Sequence, residues 1–269
     1  QKILELWGYD SEFINFMPER QCLSYKLPRL LKDIALFACW PKVYRARKKI
    51  RDSIKDKLKI SPSYLTYDQL TNAATERYSA AICGSDQIWS NIGGYVNPLY
   101  YLTFIDEKKR IAYAPSIGYS HVTVDDVDAF REYVSGIRFL SIREHQGAML
   151  IKEIVGREPK VVLDPSLLLT GKQWINQVQP VNKGCPEGGY IFIYFLCDNP
   201  EYIKYVHHLS SYTGYQVVAM EPLSRKFLAL RDVKKVASDP FDFVRLVHNA
   251  SYVLTDSFHG TAFSINLGK

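Results

Sequence analysis

Three short phrases in the sequence hold more polar and cationic groups than turns need: Gly84-Ser85-Asp86-Gln87-Ile88-Trp89, Ser141-Ile142-Arg143-Glu144 and Thr255-Asp256-Ser257-Phe258-His259-Gly260-Thr261. Each continues a strand-like apolar run, and open parallel sheets bind ligands beyond the carboxyl ends of their strands. In the third phrase a strand ends in Asp-Ser and a helix starts at once, with His259 and Gly260 in its first turn. The amides of such a helix start, the Ser257 hydroxyl and the His259 imidazole can cradle a phosphate or carboxylate with a proton donor beside it. The competing reading is that Asp256 or Ser257 caps the helix and His259 is an ordinary first-turn residue.

Arg143 follows an apolar strand, where a long cation costs energy unless it pairs or binds a ligand. Its neighbour Glu144 is the structural partner to expect. The functional alternative is a guanidinium fork on a carboxylate or phosphate, which suits Arg better than Lys because two parallel hydrogen bonds orient the anion. In the first phrase Gly84 lets the backbone turn, Ser85 and Gln87 offer hydrogen bonds, and Asp86 can accept a proton from a sugar hydroxyl. Asx-turn or capping roles for Ser85 and Asp86 compete with that reading. His207 and His208 sit in a helical phrase without partners at ligand spacing, so no metal site is expected. Asp256, Ser257 and His259 carry the letters of a hydrolase triad but stand too close in one turn to converge. There is no G-x-S-x-G elbow, no Walker loop and no G-x-G-x-x-G.

The elements that must position these residues alternate between strand-like and helix-like phrases, the pattern of a mostly parallel sheet with helices on its faces. Strands are predicted at Phe13 to Met17, Ala80 to Gly84, Arg110 to Ala114, Phe139 to Arg143 and Val161 to Asp164. Helices are predicted at about Pro28 to Leu58, Val124 to Ser135 and Gln146 to Val155. Later come a buried strand at Tyr190 to Leu196, a helix at Pro200 to Tyr212 and a strand at Gln216 to Met220. A helix at Pro240 to Asn249, a strand at Tyr252 to Thr255 and a helix near His259 complete the pattern. Val178 to Gly189, rich in Pro and Gly, reads as a linker between a domain over 1–177 and a second over 190–269.

With 47% hydrophobic and 23% charged residues, the 269-residue chain can build a sizeable core, and neither disorder nor a membrane span is expected. The longest apolar runs, Ile34 to Trp40 and Tyr190 to Cys197, are shorter than the roughly 18 residues a spanning helix requires. A net charge of +6 favours anionic partners. Much of the excess lies in Lys42 to Lys59, where Val43, Ile50, Ile54 and Leu58 form a stripe and Arg45, Lys48, Arg51 and Lys55 lie off it. That pattern reads as a solvated helix with its stripe on the core, or as a patch that meets an anionic membrane surface. Cys22, Cys39, Cys83, Cys185 and Cys197 are odd in number and lack a C-x-x-C pair, which favours reduced thiols and a cytoplasmic compartment, with peripheral association at the inner membrane face as an extension. Both ends of the chain read as interrupted phrases.

Several motifs in order resemble the polysaccharide pyruvyl transferase family. They are Leu4 to Asp10, Ile82 to Trp89, Ile111-Ala112-Tyr113-Ala114-Pro115-Ser116-Ile117-Gly118, Ser141 to Glu144, Val162-Leu163-Asp164-Pro165-Ser166-Leu167-Leu168-Leu169 and Asp256 to Ser264. The resemblance implies an α/β fold of two Rossmann-like lobes, GT-B-like, with the site in the cleft between them. It implies transfer of the pyruvyl group of phosphoenolpyruvate to a sugar or lipid-linked glycan as a ketal, in bacterial exopolysaccharide or cell-envelope synthesis, without nucleic acid. Arg143 and His259 match the family's essential arginine and histidine; Asp86 joins them as a catalytic candidate. Gly84, Ser85, Gln87, Ser116, Ser257 and Gly260 are the substrate-binding candidates. Phosphoenolpyruvate serves as donor, and neither metal nor organic cofactor is implied. The family's glycine-rich first strand is expected before Gln1, and a further basic residue beyond Lys269. A nucleotide-sugar glycosyltransferase of the same architecture remains open, although Glu187, Glu201 and Glu221 lack the spacing for a ribose, as does a non-catalytic anion- or glycan-binding relative.

Overall fold

The computed structural model describes residues 1–17, 41–90, 96–119, 121, 126–178, 186, 188–197, 199–221 and 232–269. The part of the expected first helix over 28–40 lies outside them, with the run Ile34 to Trp40, most of the 178–189 linker, Val124, Cys22, Cys39, Cys185 and Glu187. So do the side chains of Val43, Arg45 and Glu221.

In chain order the described elements are α1 (Lys2–Leu6), β1 (Phe13–Phe16), α2 (Pro41–Lys57), β2 (Ile60–Tyr64), α3 (Tyr67–Arg77), β3 (Ala81–Gly84) and β4 (Arg110–Tyr113). There follow α4 (Val127–Ser135), β5 (Phe139–Ile142), α5 (His145–Val155), β6 (Lys160–Val161), α6 (Gly171–Gln177) and β7 (Ile191–Tyr194). The last are α7 (Pro200–Thr213), β8 (Val217–Glu221), β9 (Val233–Ala237), α8 (Pro240–Asn249), β10 (Tyr252–Thr255) and α9 (Phe258–Asn266). The α/β alternation read from the sequence is present. Two four-stranded parallel sheets carry it, ordered β3-β4-β5-β6 and β10-β7-β8-β9, in Rossmann-like fashion.

The chain divides into two compact units, one of Ile14 to Met17 with Pro62–Leu168, the other of Gln1–Phe13, 41–61 and Leu169–Lys269. In the first, Ala81, Cys83, Ala112 and Ile142 pack one sheet face against Phe130 of α4 and Leu150 and Ile151 of α5. Trp89 and Tyr101 stack at 5.0 Å in the same core, and Phe130 meets both edge-on. Burial pushes the Cys83 thiol up to about 12, which makes it an inert packing group.

In the second unit β7 is buried along nearly its whole length, as a central parallel strand must be. Phe192 and Val218 pack under Phe243, Val244 and Val247 of α8 and Phe263 of α9, while Ile191, Ile193, Val217 and Ala219 pack under Val206 of α7. The covering helices have strong local stops. Asn199 caps α7 ahead of Pro200, and Gly214 closes it in the left-handed region. Asp239 and Asp242 form a capping box on α8.

The basic helix α2 belongs to this second unit and docks differently from the expected apolar stripe. Ile54 is 38% exposed, whereas Ser53 is buried. Lys49 pairs with Asp242, and Lys57 stands 4.0 Å from Asp239 with its ammonium 3.8 Å from the centre of the Phe241 ring. The positive face of α2 is therefore partly spent on the acidic N-terminal turn of α8, a favourable placement for lysines against capping carboxylates. Its exposed side mixes Arg47, Lys48 and Lys55 with Asp52 and Asp56.

Candidate active site

In the first unit the phrases after β3, β4 and β5 converge at the carboxyl end of the sheet. The Ser85 amide donates to Tyr113 O at 3.2 Å, the Ser116 amide to Asp86 O at 2.9 Å, and the Arg143 amide to Pro115 O at 3.1 Å. These bonds lace three loops into one surface. Ser85, Asp86 and Ala114 have φ of 62°, 42° and 52° there, three of the four non-glycine residues with positive φ among the described residues. Each such residue costs on the order of 1 kcal/mol, and strain of this kind gathers where a site needs it. Gly84, expected as the turning residue, is not the one with positive φ. It is required because a Cβ there would overlap the carbonyl oxygen of Tyr113 on β4.

Arg143 is held by a carboxylate that the sequence reading left without a role. Asp164 is 1% exposed; its Oδ1 accepts from the Ser166 amide at 2.9 Å, and its Oδ2 accepts from Ser85 Oγ at 2.7 Å and Arg143 Nη1 at 3.1 Å. Burial raises the Asp164 carboxyl, but the bonds from the Ser166 amide, Ser85 and Arg143 outweigh burial and hold it below the ordinary value. Glu144, the expected partner, comes only to 3.9 Å of Arg143 Nε, and its Oε1 accepts from the Ile117 amide at 2.8 Å. Asp86 is exposed and turns Oδ1 onto the following amide of Gln87 at 2.9 Å, one residue on and so short of an Asx-turn. Gln87 is exposed, with its side chain over Gly118, and Ser116 is buried.

In the second unit β10 lies on the opposite side of β7 from β8 and β9, so the strand order reverses between β7 and β10. The carboxyl ends of such a pair flank the crevice where open α/β sheets bind ligands. Asp256 bridges it, accepting from the Leu196 amide at 2.7 Å and the Cys197 amide at 2.9 Å. Asp256 is thus a brace between two loops and not the helix cap. Ser257 is the cap: its Oγ accepts from the Gly260 amide at 3.3 Å. That amide is therefore engaged within the helix, whereas the Ser257 hydroxyl keeps a proton to donate. A Cβ at Gly260 would overlap the Thr255 side chain, which accounts for glycine at this position. His259 is half-buried, with the Phe258 ring edge-on at 5.2 Å.

Gly84, Ser85, Asp86, Gln87, Ser116 and Arg143 thus gather in one unit, and Ser257, His259 and Gly260 in the other. The sequence model of one protein family, Polysaccharide pyruvyl transferase, matches residues 20–269. The chain belongs to that family. No curated protein and no solved structure matches it significantly. Polysaccharide pyruvyl transferases are enzymes acting on a glycan, and in this chain one oxygen of a buried carboxylate holds both the Arg143 guanidinium and the Ser85 hydroxyl. Asp164 was legible only as part of the Val162 to Leu169 motif. Its signal is the Asp-Pro-Ser sequence, which marks a capped turn and so a fixed carboxylate. Among the described residues no cluster of His, Cys, Asp and Glu is built to hold a metal, and no helix is long and apolar enough to cross a membrane.

Proposed function

We propose that this pyruvyl transferase takes its pyruvyl group from phosphoenolpyruvate and leaves it as a cyclic ketal on two hydroxyls of a sugar, in a polysaccharide or a lipid-linked glycan. The observation that carries the proposal is the family match over 20–269 combined with a braced arginine at the end of a parallel sheet. Phosphoenolpyruvate presents a carboxylate and a phosphate, and Arg143 is suited to either. His259, in the first turn of α9 at the strand-order reversal, is the general acid of the proposal.

The first acceptor hydroxyl attacks C2 of phosphoenolpyruvate while C3 takes a proton from the His259 imidazolium. The enol double bond becomes a methyl group, and the hydroxyl proton leaves to a base. Departure of inorganic phosphate with the C2–O bonding pair leaves an oxocarbenium ion, which the second hydroxyl captures as it gives up its proton. Asp86, exposed at the end of β3, is the candidate acceptor for a hydroxyl proton. Calorimetric titration tests the donor. Phosphoenolpyruvate is expected to bind in competition with inorganic phosphate, and binding of a nucleotide sugar in its place would assign the chain a glycosyl transfer.

A further inference from the structure

Asp164 does more than cap its own turn. One oxygen receives the Ser166 amide, which is all that the 3-10 turn Pro165–Leu167 needs. The other reaches back along the chain to Ser85 and Arg143, the loops after β3 and β5. A carboxylate at 1% exposure is tolerable only with its donors in place, so these contacts are mutually dependent. Ser85 stands at a φ of 62°, a conformation that its hydrogen bond to Asp164 helps to hold. The Arg143 side chain is 12% exposed, so protein groups and not bulk water set the plane of its guanidinium. Nη1 meets Asp164, and Nε faces Glu144, itself anchored on the Ile117 amide.

We propose that Asp164 is the positioning residue of this site, tying Arg143 to the Ser85 loop through one shared oxygen so that the guanidinium meets the anionic donor in a set orientation. The inference rests on the reading of Arg143 as a phosphoenolpyruvate ligand. Buried at 1% exposure, Asp164 acts through Arg143, and that gives it a signature distinct from a role in stability.

The test is a double-mutant cycle on the whole chain, with phosphoenolpyruvate affinity read by calorimetry and unfolding by urea for every variant. Asp164→Asn keeps the shape but replaces one acceptor edge with N–H donors, so it cannot serve Ser166 and the Ser85–Arg143 pair together. It is expected to weaken phosphoenolpyruvate binding about tenfold in the parent, and to add little when Arg143→Ala is already present. Turnover at saturating donor should fall much less than affinity. Should the Asn variant not fold, Asp164→Glu, which keeps the charge and displaces the carboxylate by about one bond length, is expected to give the same non-additive loss. An equal fold-loss in both backgrounds, or unchanged affinity in a folded variant, overturns the positioning role. An Arg143→Ala variant that binds phosphoenolpyruvate like the parent overturns the donor assignment, and the positioning role with it.

Discussion

Arg143 Nη1 stands 3.1 Å from Asp164 Oδ2, on a carboxylate 1% exposed to solvent. The neighbour in sequence, Glu144, is the more distant partner at 3.9 Å. A guanidinium placed in this way is oriented before any ligand arrives, which lowers the ordering cost that binding would otherwise incur.

Arg143→Ala should weaken phosphoenolpyruvate binding by about tenfold to a hundredfold, the span expected for a lost hydrogen bond to a charged group. It should also lower unfolding stability by roughly 1–3 kcal/mol, because Asp164 then loses a donor while buried. Arg143→Lys restores the charge without the fork, so it should recover stability better than affinity. Calorimetry and urea unfolding on the two variants separate these effects.

His259→Ala should act on turnover. A loss of roughly a hundredfold or more is expected if the imidazole delivers the proton to C3. Helix α9 keeps its Ser257 cap, so circular dichroism and donor affinity should change little. Turnover equal to the parent would move the acid role to another group.

Acid should destabilise the first unit through Asp164. Its carboxyl is held below the ordinary carboxylate value in the folded protein, through hydrogen bonds that overcome burial. The unfolded chain therefore binds the proton first as pH falls, so this stabilisation is complete above the unfolded value and is lost as pH drops through the folded one. Urea unfolding at successive pH values should show a steeper decline in the parent than in Asp164→Asn as pH falls below the ordinary carboxylate value.

Gly84→Ala should strain the β3–β4 pairing, because the added methyl meets backbone at Tyr113 and not a flexible side chain. A loss of roughly 1–3 kcal/mol is expected, read as a lower midpoint in thermal unfolding.

The α/β order and the strands that carry the site were readable because their apolar runs are long and their loops polar, as at Tyr252 to Thr255 followed by Asp256 and Ser257. Elements with weaker patterns were not. Strand β2 contains Pro62 between two serines, β9 places Lys234 and Lys235 on a sheet edge, and α3 and α6 begin on Thr caps with few apolar residues behind them. The docking of α2 was misread because periodicity registers apolar stripes and cannot register a lysine that finds a carboxylate 193 residues away. The same limit applies to Arg143. Adjacency suggested Glu144, and only the fold brings Asp164 to it.

Phosphate release in the presence of phosphoenolpyruvate and a sugar acceptor is the most direct test of the account. With a panel of glycosides that carry pairs of neighbouring hydroxyls, phosphate should appear only when a suitable acceptor is present. Mass spectrometry should then find one pyruvate ketal for each phosphate, with both signals falling together in Arg143→Ala and His259→Ala. Consumption of a nucleotide sugar by the same protein, with phosphoenolpyruvate left intact across the panel, would contradict the account.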